Sequence, residues 1–174
     1  MSDGYYVRDA IPKRLGIQGG YDALGHAVTM DQPLGVHPGL PGLLLAAACG
    51  AALAAGVKPS SASLLLVAHG SGNSPHSADV ARQVRDAMAS PGKFASVEAA
   101  FLEEAPLFGD ALAATPRPVF VLGLFAGSGL HADEDVRRAV AELNDPSVHV
   151  VEQLGGYAGI IELVMSGLAK DAKT

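Results

Sequence analysis

The sequence predicts an α/β protein built on a parallel sheet with helices on both faces. Two observations carry this. From residue 62 onward, short apolar runs alternate with amphipathic stretches of helical period. The apolar runs are hydrophobic throughout instead of alternating with polar residues, as strands covered on both faces require. The composition agrees: of 174 residues, 49% are apolar and 17% charged, too apolar for a disordered chain.

Taken in order, the run at 62–71 is a first strand ending in a His-Gly turn. Residues 74–90 read as a helix in which Val80, Val84 and Met88 recur every four positions, with Ser77 as its expected N-cap. A second strand covers 94–103 and a short helix 105–114. A third strand covers 118–125. The stretch 131–143 is a helix with acids first and arginines later, as the helix dipole favours. A fourth strand covers 147–154 and a closing helix 157–172. Crossovers are expected to be right-handed. In the order 2-1-3-4 of flavodoxin-like sheets, strands one and three are neighbours, and ligands sit at the carboxyl ends of the strands.

The first 57 residues lack an opening strand. Residues 4–15 align with 129–140, and residues 27–45 align with 147–165 at an offset of 120. Two blocks in the same order imply that 1–57 is a partial second copy of the unit at 58–174. It supplies a helix, a strand and a long helix, without the front of that copy through its third strand. The uncharged stretch 40–57 is dominated by Ala and Gly and contains Pro41. It lacks the aromatic and basic belts of a membrane span and reads as a closely packed buried helix. Its apolar surface is expected to lie in a dimer interface.

Charge and composition narrow the function classes. Twelve Lys+Arg against eighteen Asp+Glu give a net charge of −6, which argues against a general nucleic-acid binder. The single cysteine, Cys49, excludes a disulfide framework and a Cys-rich zinc site within one chain, and fits a reducing, cytoplasmic setting. The amino-terminal residues carry no signal-peptide pattern.

Three residues that follow strand ends hold the chemistry. His69 follows the first strand, Glu103 the second and His131 the third. Two imidazoles and a carboxylate over one crevice suit a divalent first-row metal, and the same groups accept protons. Against this stands the plainer reading of strand-end histidines as surface or capping residues. Glu104 is a neighbouring carboxylate. The backbone of Gly70, Ser71 and Gly72 forms a turn of the anion-binding kind, and Gly129 lies in a second Gly/Ser-rich loop. His76 sits before a helix; His26, His37 and His149 read as structural or surface residues. Arg82, Arg85, Arg137 and Arg138 are candidate cations for an acidic ligand.

The segments LLLVAHGSGNSPHSADVARQV, VEAAFLEEAPLFGDAL and VFVLGLFAGSGLHADEDV, in this order and spacing, resemble the CbiX/SirB family of class II tetrapyrrole chelatases. The resemblance spans residues 62–170. It implies ATP-independent insertion of Co²⁺ or Fe²⁺ into sirohydrochlorin, in cobalamin or siroheme synthesis, with no organic cofactor. It assigns His69 and His131 as metal ligands and proton acceptors, and Glu103 as the supporting carboxylate. It places the tetrapyrrole against Gly70, Ser71, Gly72 and Gly129. It further implies a homodimer or fused pair of units, with no nucleic-acid or membrane partner. In the partial copy, Tyr6 takes the place of His131, a departure that favours a remnant that binds metal or tetrapyrrole without inserting it. A third reading, a hydrolase or phosphoryl-transfer enzyme using His69, lacks a GxSxG or P-loop sequence and leaves the second histidine unexplained.

Overall fold

The computed structural model describes residues 9–70, 76–125, 131–151 and 158–171. Four parallel strands form one sheet: β1 (Ser63–Ala68), β2 (Ser96–Phe101), β3 (Val119–Gly123) and β4 (Val148–Val150). Their order is β2-β1-β3-β4, the order expected from the sequence. Leu65 of β1 stands opposite Glu98 of β2 and Val121 of β3, and Val121 stands opposite Val150 of β4. All six residues of β1 are buried, which is why its sequence shows no polar alternation. Successive side chains still leave by opposite faces. Leu64 and Leu66 join one hydrophobic cluster, and Leu65 and Val67 join the other.

Helices cover both faces. On the Leu65 side lie α4 (Phe108–Ala114) and α5 (His131–Leu143), through Phe108, Leu112, Ala132, Val136 and Val140. On the Leu64 side lies α3 (His76–Ala89), through Ala78, Ala81, Val84 and Met88. Because α3 already includes His76, Ser77 lies inside its first turn, not at the N-cap.

The second helix on that face comes from the amino-terminal region. In α2 (Leu40–Ala54), the residues Leu40, Leu44, Ala48 and Ala52 recur every four positions and are buried in the same cluster as Leu64, Leu66, Phe120 and Leu122. The expected packed helix is therefore present, but its buried face is taken up by the chain's own sheet and not held for a dimer interface. Its end is a Schellman motif. Gly56, at φ +72°, donates to Leu53 O, and Val57 N–H donates to Ala52 O. No described helix is long and apolar enough to cross a membrane.

Upstream, α1 (Ile11–Arg14) carries Pro12 in its first turn and is followed by Gly16 at φ +63°. The strand expected ahead of the long helix, in the block 27–45 that aligns with 147–165, is not formed. Residues 28–33 stay outside the sheet and lead into a 3₁₀ turn at Leu34–Val36. A strand exists only where another donates and accepts backbone hydrogen bonds, and the described sheet ends at β2 and β4. The closing helix α6 (Ala158–Asp171) contacts α2.

The amino ends of β3 and β4 are braced by one ion pair. Arg117 Nε donates to Asp145 Oδ2 at 3.1 Å, and its Nη1 donates to the carbonyls of Leu112 and Thr115 at 2.8 and 2.6 Å. Asp145 Oδ1 accepts from Ser147 Oγ at 2.6 Å and from Ser147 N–H at 2.9 Å. Those Ser147 hydrogen bonds, with the Arg117 guanidinium second, pull the Asp145 pKa down to about 2.

Candidate metal centre

The carboxyl ends of β1 and β2 are held together beyond the strands themselves. His69 O accepts from Glu103 N–H at 3.0 Å and from Leu102 N–H at 3.2 Å, so the backbone ladder continues past the last paired strand residues. The chain then doubles back, with Phe101 N–H donating to Pro106 O at 2.9 Å. This turn presents Glu103 beside His69. His69 Nε2 lies 3.2 Å from Glu103 Oε1, and each side chain is 57% exposed. The pair stands at the solvent-facing carboxyl end of the sheet.

Gly70 shapes the turn. Its φ is +77°, and an added Cβ would lie 2.9 Å from Glu104 Oε1 and 3.0 Å from both Glu104 Cγ and Phe101 Cβ. The Glu104 side chain therefore lies against the bare Cα of Gly70, while Glu103 takes the position next to His69. Sequence reasoning did not find this contact. The signal available was the glycine directly after His69, a position where a left-handed backbone and a close approach need glycine.

His131 is the first residue of α5, which follows β3, the neighbour of β1. Its backbone therefore belongs to the same end of the sheet; its side chain lies outside the described residues, as do Ser71, Gly72 and Gly129. Tyr6 and the side chain of His76 lie outside them too. Among the described residues, no three His, Cys, Asp or Glu side chains cluster in metal-binding fashion.

The other candidates have local partners. Arg82 pairs with Asp79 at 3.4 Å and lies over the Phe101 ring, 5.2 Å from its centroid. Arg85 pairs with Asp86 and Glu98, and Arg138 with Asp135. Arg137 is also engaged. Three histidines act structurally. His26 Nδ1 pairs with Asp22, whose pKa is lowered foremost by the His26 backbone N–H. His37 Nδ1 accepts from Gly39 N–H, and His149 stacks on Phe120 at 4.7 Å between centroids.

An imidazole nitrogen and a carboxylate oxygen at this separation are two donors of the type that divalent first-row metals accept.

The four-stranded 2-1-3-4 sheet with helices on both faces is the fold of the chelatase structures that this chain resembles. The chain belongs to the CbiX family, whose sequence profile matches residues 63–171. Comparison with curated protein sequences gives no significant match. Among solved structures, the chain is similar to a CbiX described as the terminal enzyme for siroheme biosynthesis in denitrifying bacteria. The identity is 29% and the TM-score 0.82, over 98% of this chain and 72% of that one. It shares its fold with SirB from Bacillus subtilis with Fe³⁺, at 14% identity and TM-score 0.77, over 97% of this chain and 67% of that one. It also shares its fold with the sirohydrochlorin chelatase SirB from Bacillus subtilis subspecies spizizenii in complex with cobalt. There the identity is 13% and the TM-score 0.69, over 99% of this chain and 66% of that one.

Proposed function

We propose that this chain inserts a divalent metal, Co²⁺ or Fe²⁺, into a sirohydrochlorin-like tetrapyrrole without ATP. The reaction is a step toward cobalamin or siroheme. One observation carries the reading: His69 Nε2 and Glu103 Oε1 lie 3.2 Å apart at the exposed mouth of the sheet. Family membership and the metals named in the SirB structures support it.

In this scheme the metal is substrate. His69 and Glu103, with His131 from the start of α5, hold the incoming ion, replacing part of its water shell. The macrocycle lies over the turn at Gly70, Ser71 and Gly72 and the loop containing Gly129, where small residues permit close approach. Forming the metal complex expels two pyrrole N–H protons. His69 and Glu103 are placed to accept them as the ion leaves for the ring, so the same groups serve as ligand and then as base. Residues 1–57 form a partial second unit in this account, supported by the alignment of 4–15 with 129–140 and of 27–45 with 147–165.

A second reading is a binding protein that holds metal or tetrapyrrole without turnover. The openness of the pair, 57% exposed on each side, favours it, because a water-filled site weakens electrostatic stabilisation. Tetrapyrrole absorbance on mixing purified protein, sirohydrochlorin and Co²⁺ or Fe²⁺ separates the two. Insertion well above the protein-free rate supports the chelatase. Spectral binding with no rate enhancement supports the binding protein.

A further inference from the structure

Two arginines one turn apart on α3 face β2, and they show that the helix runs antiparallel to that strand. Arg85 Nη1 lies 3.6 Å from Glu98 Oε2. Arg82 lies over the ring of Phe101, the last residue of β2, 5.2 Å from its centroid. Arg82 is therefore the one nearer the carboxyl end of the sheet. Phe101 is fully buried beneath it. The same residue reaches the turn after β1, because a Cβ on Gly70 would lie 3.0 Å from Phe101 Cβ. Gly70 directly follows His69, and Glu103 stands two residues beyond Phe101. Phe101 thus joins the Arg82 guanidinium to the turn that carries the His69–Glu103 pair.

The two arginines are held differently. Arg85 is 29% exposed, with Nε 2.7 Å from Asp86 Oδ1 and Nη1 toward Glu98. Arg82 is 42% exposed, and among the described residues its one polar partner is Asp79, at 3.4 Å. Charge-assisted bonds of full strength measure about 2.7–2.9 Å. A cation resting on a ring is held in place without using its N–H groups, so Arg82 keeps its planar fork of donors for another acceptor. Other cations are placed elsewhere. Lys58 and Lys93 precede β1 and β2, toward the amino end of the sheet. Arg117 is paired with Asp145 at that same end, and Arg138 with Asp135. At the carboxyl end stand Glu103 and Glu104, which repel an incoming polycarboxylate unless a cation meets it.

We propose that Arg82 binds a carboxylate on the rim of the tetrapyrrole and so sets the position of the macrocycle over the His69–Glu103 pair. A guanidinium donates two parallel N–H bonds to one carboxylate, which fixes orientation as well as affinity. Asp79 holds the group until the acid of the substrate takes its place. Phe101 keeps the guanidinium over the turn in both states. The ligand class selected is a tetrapyrrole with free acetate or propionate side chains, in preference to a neutral or esterified ring. The proposal rests on the reading of this chain as a sirohydrochlorin-type chelatase or binding protein. Its test reads binding without metal, so its failure is separable from the failure of that reading.

The test titrates the full chain with metal-free sirohydrochlorin, followed by tetrapyrrole absorbance, for wild type, Arg82→Gln, Arg82→Lys and Arg85→Gln. Arg82→Gln is expected to raise Kd by roughly tenfold or more, the range of a lost charge-assisted pair. Arg82→Lys recovers part of the loss, since it keeps the charge without the fork. Arg85→Gln keeps the wild-type Kd. The same titration with fully esterified sirohydrochlorin separates recognition from structure. Wild type and Arg82→Gln are expected to bind the ester alike, whereas a disturbed turn would weaken acid and ester equally. Three results overturn the proposal: an unchanged Kd for Arg82→Gln, the same weakening toward the ester as toward the acid, or an equal loss in Arg85→Gln. A wild type that does not bind sirohydrochlorin overturns the functional reading itself, and the proposal with it.

Discussion

Replacing Gly70 with alanine probes the turn beside the His69–Glu103 pair. Two costs are separable. At φ +77° an L-residue meets its own carbonyl, which costs about 1–2 kcal/mol. The new Cβ also lies 3.0 Å from Phe101 Cβ, on a fully buried residue that cannot give way cheaply. Overpacking of this kind costs about 1–3 kcal/mol. Together they predict a loss of about 2–5 kcal/mol. Gly56 supplies the control, since its φ is +72° and nothing lies within 4 Å of its Cβ position. Gly56→Ala is expected to lose only the backbone part, about 1–2 kcal/mol. Urea unfolding reads both variants, provided that the slope of stability against denaturant stays constant. If the two lose the same stability, the close approach at Gly70 is not a constraint and the argument fails.

Other predictions follow from the core and the brace. Leu44→Ala removes a fully buried side chain from the sheet face and is expected to cost about 2–5 kcal/mol. Val164→Ala, at an α6 position that is 46% exposed, changes stability by under about 0.5 kcal/mol; equal losses in urea unfolding would contradict the packing described. Asp145 titrates near 2 in the folded protein, below its ordinary 3.8. Its contribution is therefore complete above pH ~3.8 and is lost as pH falls toward 2. Asp145→Asn should lower the melting temperature at pH 7 and flatten its fall between pH ~4 and ~2. An unchanged acid slope in the variant would show that the Ser147 and Arg117 contacts do not hold this carboxylate.

Where a segment's partners are its own neighbours in sequence, the sequence was a sufficient guide. β1 and β3 are apolar throughout because both faces are covered, and the amphipathic period of 131–143 marks α5 to the residue. The order β2-β1-β3-β4 follows from parallel strands joined by helical crossovers. The proximity of His69 and Glu103 follows in turn, since both leave the carboxyl ends of adjacent strands. What failed depended on distant partners. The stretch 27–34 aligns with 147–154, which holds β4, but no described strand lies beside it, so it remains outside the sheet. Leu40 and Leu44 were expected at an interface between chains; they meet Leu64 and Phe120 of their own sheet. The pairing of Gly70 with Glu104 is signalled locally only by the glycine directly after His69, and that of Arg117 with Asp145 depends on turn geometry that no local pattern encodes.

Steady-state cobalt insertion into sirohydrochlorin, followed by absorbance for wild type, His69→Ala and Glu103→Gln, tests the central claim most directly. Both side chains are more than half exposed, so both variants should keep the wild-type melting temperature. The account predicts that each loses about 100-fold or more in rate, the range expected for a lost acid–base or ligand group. Folded variants that insert cobalt at the wild-type rate would contradict it, and would place the reacting metal elsewhere on the molecule.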